Sequence, residues 1–417
     1  MAKNKKTLNL TAQIMIAVVL GGLFGYFLSG WAERTAFLGE IFLRLIQMGI
    51  VLLILGQMVA AMGSLEIHKL GRIGLRTIVV FLVSSTLASA WGVLFAAFFQ
   101  PGKSISGTVA PGVDVETVQA TFSELLIGFF PTNIMQSLSE GTIVHIVVFG
   151  AFFGIALSLK SSEGELSILK GLKEFNGVIL KMIELIMKLA PIGIFSLIAS
   201  TISKYGINVV RPLLSYLLIY ACATLLFLIV WEVVVSVYCR VPIVTLTRKM
   251  GKMSLIALAS TSSAVALPTA LEDSQKKLGM SKEVSTLVLP LGMSLNSNGA
   301  AMFMALTLTT IGQIYGAHHG MNDFIFIAVL ATLTSLASAV VPGGGLIALS
   351  IVVPQMGLPI ESIAIFAGVE WFTGMIRTIL NVNSDVFSGL VVAKSVDSLD
   401  RDILLSEEDF DPAARTE

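Results

Sequence analysis

The stretch "LGMSLNSNGAAMF", residues 291–303, sets Asn296, Ser297, Asn298 and Gly299 in the centre of an apolar segment. A helix crossing lipid satisfies its own backbone, and a break frees carbonyls and amides that hydrocarbon cannot satisfy. Such a break must therefore face protein or a water-filled cavity. Three neighbouring segments read alike. "ALASTSSAVALP" (257–268) places Ser260, Thr261, Ser262 and Ser263 mid-segment, and "SLASAVVPGGGLIALS" (335–350) places Pro342, Gly343, Gly344 and Gly345 there. "IRTILNVNSDVF" (376–387) places Arg377, Asn381 and Asp385 in the fourth. The order repeats, a broken segment before "NSN" and another before "NVNSD". Short interrupted segments at matching places in two halves point to a secondary transporter built from inverted repeats. Small residues that merely let helices approach are the competing explanation, and it suits one interruption better than four.

Working outward, the chain has 417 residues, 55% hydrophobic and 13% charged, with a mean hydropathy of +0.87. A soluble domain carries about a quarter charged residues. Apolar runs at 10–31, 40–63, 77–99 and 208–231 each approach or exceed the roughly 20 residues a bilayer crossing needs. The reading is a polytopic all-α membrane protein. The start "MAKNKKTLNL" is basic, but no small-residue cleavage site follows, so 11–30 reads as a retained first helix. Zero net charge does not suggest nucleic acid. Cys222 and Cys239 imply no disulfide framework, and four histidines leave a metalloenzyme short of ligands. A nucleophile among Ser260–Ser263 would lack a nearby base, so an enzyme is not expected.

Lysine and arginine mark cytoplasmic loops. They concentrate at Lys3, Lys5 and Lys6, in 66–76, in 160–174 and in 239–253, while the loops at 31–36 and 100–122 are poorer. Six spans over the first half follow, with both ends of that half in the cytoplasm. The tail 395–417 is acidic and is expected to lie there too.

Arg377, Asn381 and Asp385 lie at i, i+4 and i+8 and share one helix face. A guanidinium inside a membrane must be paired or solvated, and its planar fork matches a carboxylate. Arg377 is therefore a candidate anchor for a substrate carboxylate, with Thr378 and Asn381 beside it. The alternative is an internal ion pair with Asp385 or Glu370. Asp385 is a hard oxygen ligand that, with Asn381 and freed carbonyls near Gly292 and Asn296, can take a monovalent cation, or can simply neutralise Arg377. Amides at the ends of short helices can hold a second carboxylate, from Ser262 and Ser263 on one side and Val341 to Gly345 on the other. Glu184 and Lys188 are spaced to pair at i, i+4, and His145 reads as a satisfied structural histidine.

The chain resembles the dicarboxylate/amino acid:cation symporter family, the glutamate transporter homologues. The likeness covers nearly its whole length. "FFPTNIMQSLSEG" (129–141) and "KLAPIGIFSLIAS" (188–200) are similar to signatures of the fourth and fifth helices. The serine-rich tip 260–263 and "VVPGGG" (340–345) resemble the two re-entrant hairpins, 289–301 the unwound seventh helix and "IRTILNVNSD" the eighth. The resemblance implies eight transmembrane helices plus two re-entrant hairpins, arranged as a homotrimer in the cell (inner) membrane lipid with both termini cytoplasmic. Scaffold helices 1–2 would span 1–72, helix 3 of the transport domain 73–100, scaffold helices 4–5 101–206 and the rest of the transport domain 207–394. The transport domain would move as an elevator, with Pro342, Gly343 and Gly344 in the extracellular gate. It places a sodium ligand at Asp385, and a second sodium site at Ser84 and Ser85 with Asn296 and Asn298.

Three departures matter. Amino-acid-transporting relatives carry an aspartate one turn before the arginine, for the substrate ammonium; here that position is Gly374. An ammonium there would lose water without gaining a partner, which favours a C4-dicarboxylate over an acidic or neutral amino acid. The family's "Asn-Met-Asp-Gly" reads Asn296-Ser297-Asn298-Gly299, so a ligand carboxylate becomes an amide and Phe81 replaces an aromatic hydroxyl. Sodium coupling is then expected to be weakened or replaced by protons. Thr261 stands where many relatives have an arginine. The reading from another class is an anion channel, since the fold can leak anions between its domains.

Overall fold

The computed structural model describes residues 10–64, 71–109, 127, 130–160, 167–317, 320–335, 344–359 and 362–406. Among these, every regular element is a helix, and the β contact present is an isolated bridge between Met280 and Leu399. The order is α1 (Leu10–Phe27), α2 (Ser29–Gly63), α3 (Gly71–Phe99), α4 (Pro101–Val109), α5 (Ile134–Glu140) and α6 (Ile143–Lys160). Then come α7 (Ser167–Met187), α8 (Ala190–Tyr205), α9 (Val210–Cys239), α10 (Ile243–Ser260), α11 (Ser263–Lys276) and α12 (Lys282–Leu295). The chain continues through α13 (Asn298–Ile314), α14 (Met321–Ser335), α15 (Gly344–Gln355), α16 (Ser362–Ala367), α17 (Glu370–Ser395) and α18 (Arg401–Leu405).

By length and apolarity alone, Arg72–Phe99 and Val210–Cys239 suffice to cross a membrane, and α7 with α8, bent by 56°, would make a third span. The two faces of α9 show why a helix this apolar folds against protein on one side only. Tyr216, Tyr220, Ala223 and Phe227 are buried, while Leu214, Leu218, Leu225, Ile229, Val233 and Val237 form an exposed apolar stripe. Such a stripe suits hydrocarbon, which asks only that the backbone be satisfied internally. By contrast α13 is buried on nearly every side, as expected of a helix at the centre of a bundle.

The helices fall into two groups. α1, α2, α6, α7 and α8 pack on one another, α3, α4, α9 to α15 and α17 assemble around α13 and α17, and the short α16 lies between, against α8 and α15. An apolar cavity of about 630 Å³ lies where the groups meet, lined by Leu23, Phe27, Ile202, Leu213, Ile365 and Phe372 among others.

Three expectations are corrected. The polar stretch 31–36 is no loop, because the chain turns at Leu28 and α2 runs unbroken from Ser29 to Gly63. Arg34 lies 5.3 Å from the centroid of the Trp31 ring, so aromatic contact carries this charge along the helix. The segment 376–387 is not interrupted either: α17 is continuous from Glu370 to Ser395. No proline lies in it, and several of its buried polar side chains are taken up by neighbours or by their own turn, as Asn383 Nδ2 is by the Ile379 carbonyl at 2.7 Å, although Ser384 Oγ is buried without a partner. Finally, Glu184 pairs with Lys181 at 2.7 Å, not with Lys188, because α7 ends at Met187 and Lys188 sits in the turn beyond it. His145 is satisfied, its Nδ1 lying 2.9 Å from the Ser137 hydroxyl.

Candidate functional site

Three helix interruptions expected from sequence bear on the site. Between α10 and α11, Thr261 adopts a left-handed backbone with φ of 53°, reversing the chain at the hydroxyl-rich tip. A β-branched residue rarely takes this conformation, which costs free energy that the surrounding fold must offset. Ser262 follows in extended conformation as N-cap of α11, and the Thr261 hydroxyl is buried with no hydrogen-bond partner. Between α12 and α13, Asn296 and Ser297 leave helical geometry. The third tip, with Val341, Pro342 and Gly343, lies outside the described residues; its second arm, α15, begins at Gly344.

The break between α12 and α13 lies against α17. Asn381 Oδ1 accepts the backbone N–H groups of Gly299 at 2.7 Å and Ala300 at 3.3 Å, so this side chain caps α13. A Cβ at Gly299 would lie 2.1 Å from the Arg377 carbonyl oxygen, and glycine is what lets the backbones meet there. Tyr220 reaches in from α9 and donates to the Gly299 carbonyl at 3.1 Å.

Asp385 lies on the same helix, less than one turn before Ser388. Asn296 Nδ2 donates to Asp385 Oδ1 at 3.0 Å and to Ser388 Oγ at 3.3 Å. A Cβ at Gly292 would stand 2.5 Å from Asp385 Oδ1, so the glycine leaves the carboxylate lying on the backbone of α12. No cationic side chain pairs with this buried carboxylate among the described residues. The reading in which Asp385 neutralises Arg377 is therefore not what the geometry displays. The Asp385 carboxylate is a hard oxygen donor of the type that small cations prefer, while Asn296 turns its Nδ2 to it and its Oδ1 to Ser84, and the Gly292 carbonyl accepts the Asn296 backbone N–H at 2.8 Å.

The second set lies beside it. Ser84 Oγ is 2.9 Å from Asn296 Oδ1, and Ser85 Oγ donates to Asn298 Oδ1 at 2.8 Å. Ser84 has one proton and also lies 3.1 Å from the Phe81 carbonyl, so these are alternatives for it. Asn298 Nδ2 is buried without a partner. All four side chains come together, but they are neutral and their oxygens are occupied by each other's hydroxyls. They fit a cation less well than the Asp385 set does.

Arg377 is buried on α17. Its Nη2 donates to Glu370 Oε1 at 3.0 Å, its guanidinium stands 5.1 Å from the centroid of the Phe303 ring, and its Nη1 has no hydrogen-bond partner. The internal partner is thus Glu370. Thr378 donates to the Gly374 carbonyl at 2.8 Å, and a Cβ at Gly374 would be 3.6 Å from Arg377 Nη2. Gly345, from α15, comes to the same place, while both arms of the first hairpin pack on α17 and Ser254 bonds Asn383 at 3.0 Å. Sequence reasoning leaves Glu370 undecided and passes over Phe303, Tyr220 and Ser388. Glu370 stands seven residues before Arg377, on the same face, and that spacing is the available signal. The other three are recruited by tertiary packing.

A sequence model of the Sodium:dicarboxylate symporter family matches residues 10–395. The chain belongs to this family. The resemblance read from the interrupted segments is thereby borne out. Among relatives, the chain is 29% identical to the proton/glutamate-aspartate symporter of Escherichia coli (strain K12), over 96% of each chain. It is 30% identical to the C4-dicarboxylate transport protein of Rhizobium leguminosarum, covering 96% of this chain and 92% of that one. It is also 30% identical to the proton/sodium-glutamate symport protein of Bacillus caldotenax, covering 93% of this chain and 95% of that one. The family is one of transporters, in keeping with the apolar helices.

Proposed function

We propose that this protein is a secondary active symporter that carries a small dianion, a C4-dicarboxylate, across the cell (inner) membrane together with a cation. The observation that carries this reading is Arg377: a buried guanidinium with one nitrogen unpartnered, with Gly374, and no side chain, one turn before it. Such a group favours a substrate carboxylate, and Gly374 offers nothing to a substrate ammonium. Amides of the hairpins, with Ser262, Ser263, Thr378 and the Nδ2 of Asn381, would serve the second carboxylate. The cation, itself cargo, would sit at Asp385 with Asn296 and the Gly292 carbonyl. The Ser84, Ser85 and Asn298 set lacks the charge to hold a second sodium ion firmly, so coupling by fewer sodium ions or by protons follows.

The remaining features come from the family likeness: eight spans and two hairpins, an elevator motion of the α3, α4, α9 to α15 and α17 group, a homotrimer, and cytoplasmic termini. The separation of the helices into two groups supports the elevator reading. One observation favours a second reading. The Glu370 carboxylate lies within the site and could accept an ammonium, which would suit glutamate or aspartate.

Calorimetric titration of purified protein in detergent, with succinate and with aspartate, tests the reading. Saturable succinate binding that disappears in Arg377→Lys supports it, since lysine cannot reproduce the planar fork. Succinate binding that survives this change would contradict the role of Arg377.

A further inference from the structure

Glu370 and Arg377 stand two turns apart on α17, with side chains only 5% and 7% exposed. Glu370 Oε1 accepts Arg377 Nη2 at 3.0 Å and, at the same distance, the backbone N–H of Gly345. That amide belongs to the first turn of α15, where N–H groups have no partner inside their own helix. A guanidinium and a helix-opening amide converging on one oxygen are the donors that a free carboxylate would seek. The Thr373 hydroxyl lies 3.2 Å from Oε2 and 3.0 Å from the Glu370 backbone carbonyl, and its single proton serves one or the other. The unpartnered Nη1 is covered from the same direction, because a Cβ at Gly345 would lie 2.1 Å from it.

We propose that Glu370 is an internal competitor of the substrate carboxylate. In the unloaded state it occupies the Arg377 and Gly345 donors, and an arriving carboxylate displaces it from both. The inference rests on Arg377 being the substrate anchor. Its physical basis is that a buried guanidinium stripped of its partner is strongly destabilised. A carrier must nevertheless release its substrate, and Glu370 supplies the replacement partner that lets Arg377 let go. The exchange also reaches the second hairpin. When the substrate takes over the Gly345 amide, α15 is held through the ligand and no longer through α17. Only a carboxylate can replace Glu370 at both donors, so a neutral ligand leaves the hairpin where Glu370 fastened it.

The test measures KM and kcat of uptake into liposomes for the wild-type protein, Glu370→Gln and Thr373→Val. Glutamine keeps the length and an acceptor oxygen but loses the charge. It should lower the KM for succinate about tenfold, a difference of ~1.4 kcal/mol, and reduce kcat, because release loses its replacement partner. Thr373→Val removes the hydroxyl beside Oε2 while keeping its shape, and should lower KM roughly two- to threefold. A KM that stays the same or rises in folded Glu370→Gln overturns the proposal. If that variant does not fold, Thr373→Val decides: an unchanged KM overturns it. Should the wild-type protein carry aspartate and not succinate, the dicarboxylate reading has failed on its own. The competitor role is then read from the aspartate KM of the same variants, because aspartate also brings a carboxylate to Arg377.

Discussion

Asn296 donates its side-chain amide to Asp385 across 3.0 Å, bridging the break before α13 to a carboxylate on α17 that has no cationic partner among the described residues. A buried carboxylate in this state is poorly compensated by one amide. A bound cation would supply the missing charge, and transport would then be tied to its presence.

Asp385→Asn keeps the shape and removes that charge. It should lower cation-driven uptake roughly 10- to 100-fold, the usual cost of disturbing a metal ligand set. Substrate exchange between equal concentrations on both sides would separate lost coupling from lost binding. Uptake that retains its full cation dependence would exclude Asp385 as the ligand.

Asn298→Asp addresses the neighbouring set. Asn298 Oδ1 already receives Ser85 at 2.8 Å, and its Nδ2 is the group without a partner. Aspartate keeps the accepting oxygen, discards the orphaned amide and adds the charge that a hard cation needs. Uptake should then depend more steeply on sodium, with a higher Hill coefficient in a sodium titration. An unchanged titration would mean that the charge at this position does not govern coupling.

Gly374→Asp tests substrate class. A Cβ at this position would stand 3.6 Å from Arg377 Nη2, so the first atom of a side chain fits. A carboxylate added one turn before the arginine gives an ammonium its partner. Preference for aspartate over succinate should rise roughly 10- to 100-fold, matching the ~1.5–3 kcal/mol of a hydrogen bond to a charged group. Competition between the two labelled substrates measures it.

Gly299→Ala probes packing without touching a charged group. The added methyl would meet the Arg377 carbonyl oxygen at 2.1 Å, so the backbones of α13 and α17 must separate. Overpacking of this kind costs about 1–3 kcal/mol, visible as a lower Tm in detergent. Gly251→Ala on α10 is the control, since nothing lies within 4 Å of its position. There alanine should stabilise by up to ~1 kcal/mol through helix propensity.

The site was legible in the sequence wherever local chemistry decides geometry. Asn296, Ser297 and Thr261 break helices because their polar or left-handed backbones sit where an apolar helix would otherwise continue. Arg377, Asn381 and Asp385 share a helix because 3.6-residue periodicity places them on one face. What failed was the inference that polarity alone interrupts a helix. Asn381, Asn383 and Asp385 do not break α17, because Gly299, Ser254 and Asn296 meet their side chains from other elements. Those partners are set by tertiary packing and leave no mark in the spacing. The same limit explains the capping of α13 by Asn381 Oδ1, which the spacing does not announce, and Glu184, whose pairing depended on where α7 stops.

The most direct test of the account is uptake of labelled succinate by the purified protein in liposomes, under an inward sodium gradient, an inward proton gradient, or neither. The account predicts accumulation above the outside concentration under at least one gradient, collapse when that gradient is dissipated, and loss of both in Arg377→Lys. Equilibration without accumulation under every condition, accompanied by an anion current, would contradict it and make the protein a channel.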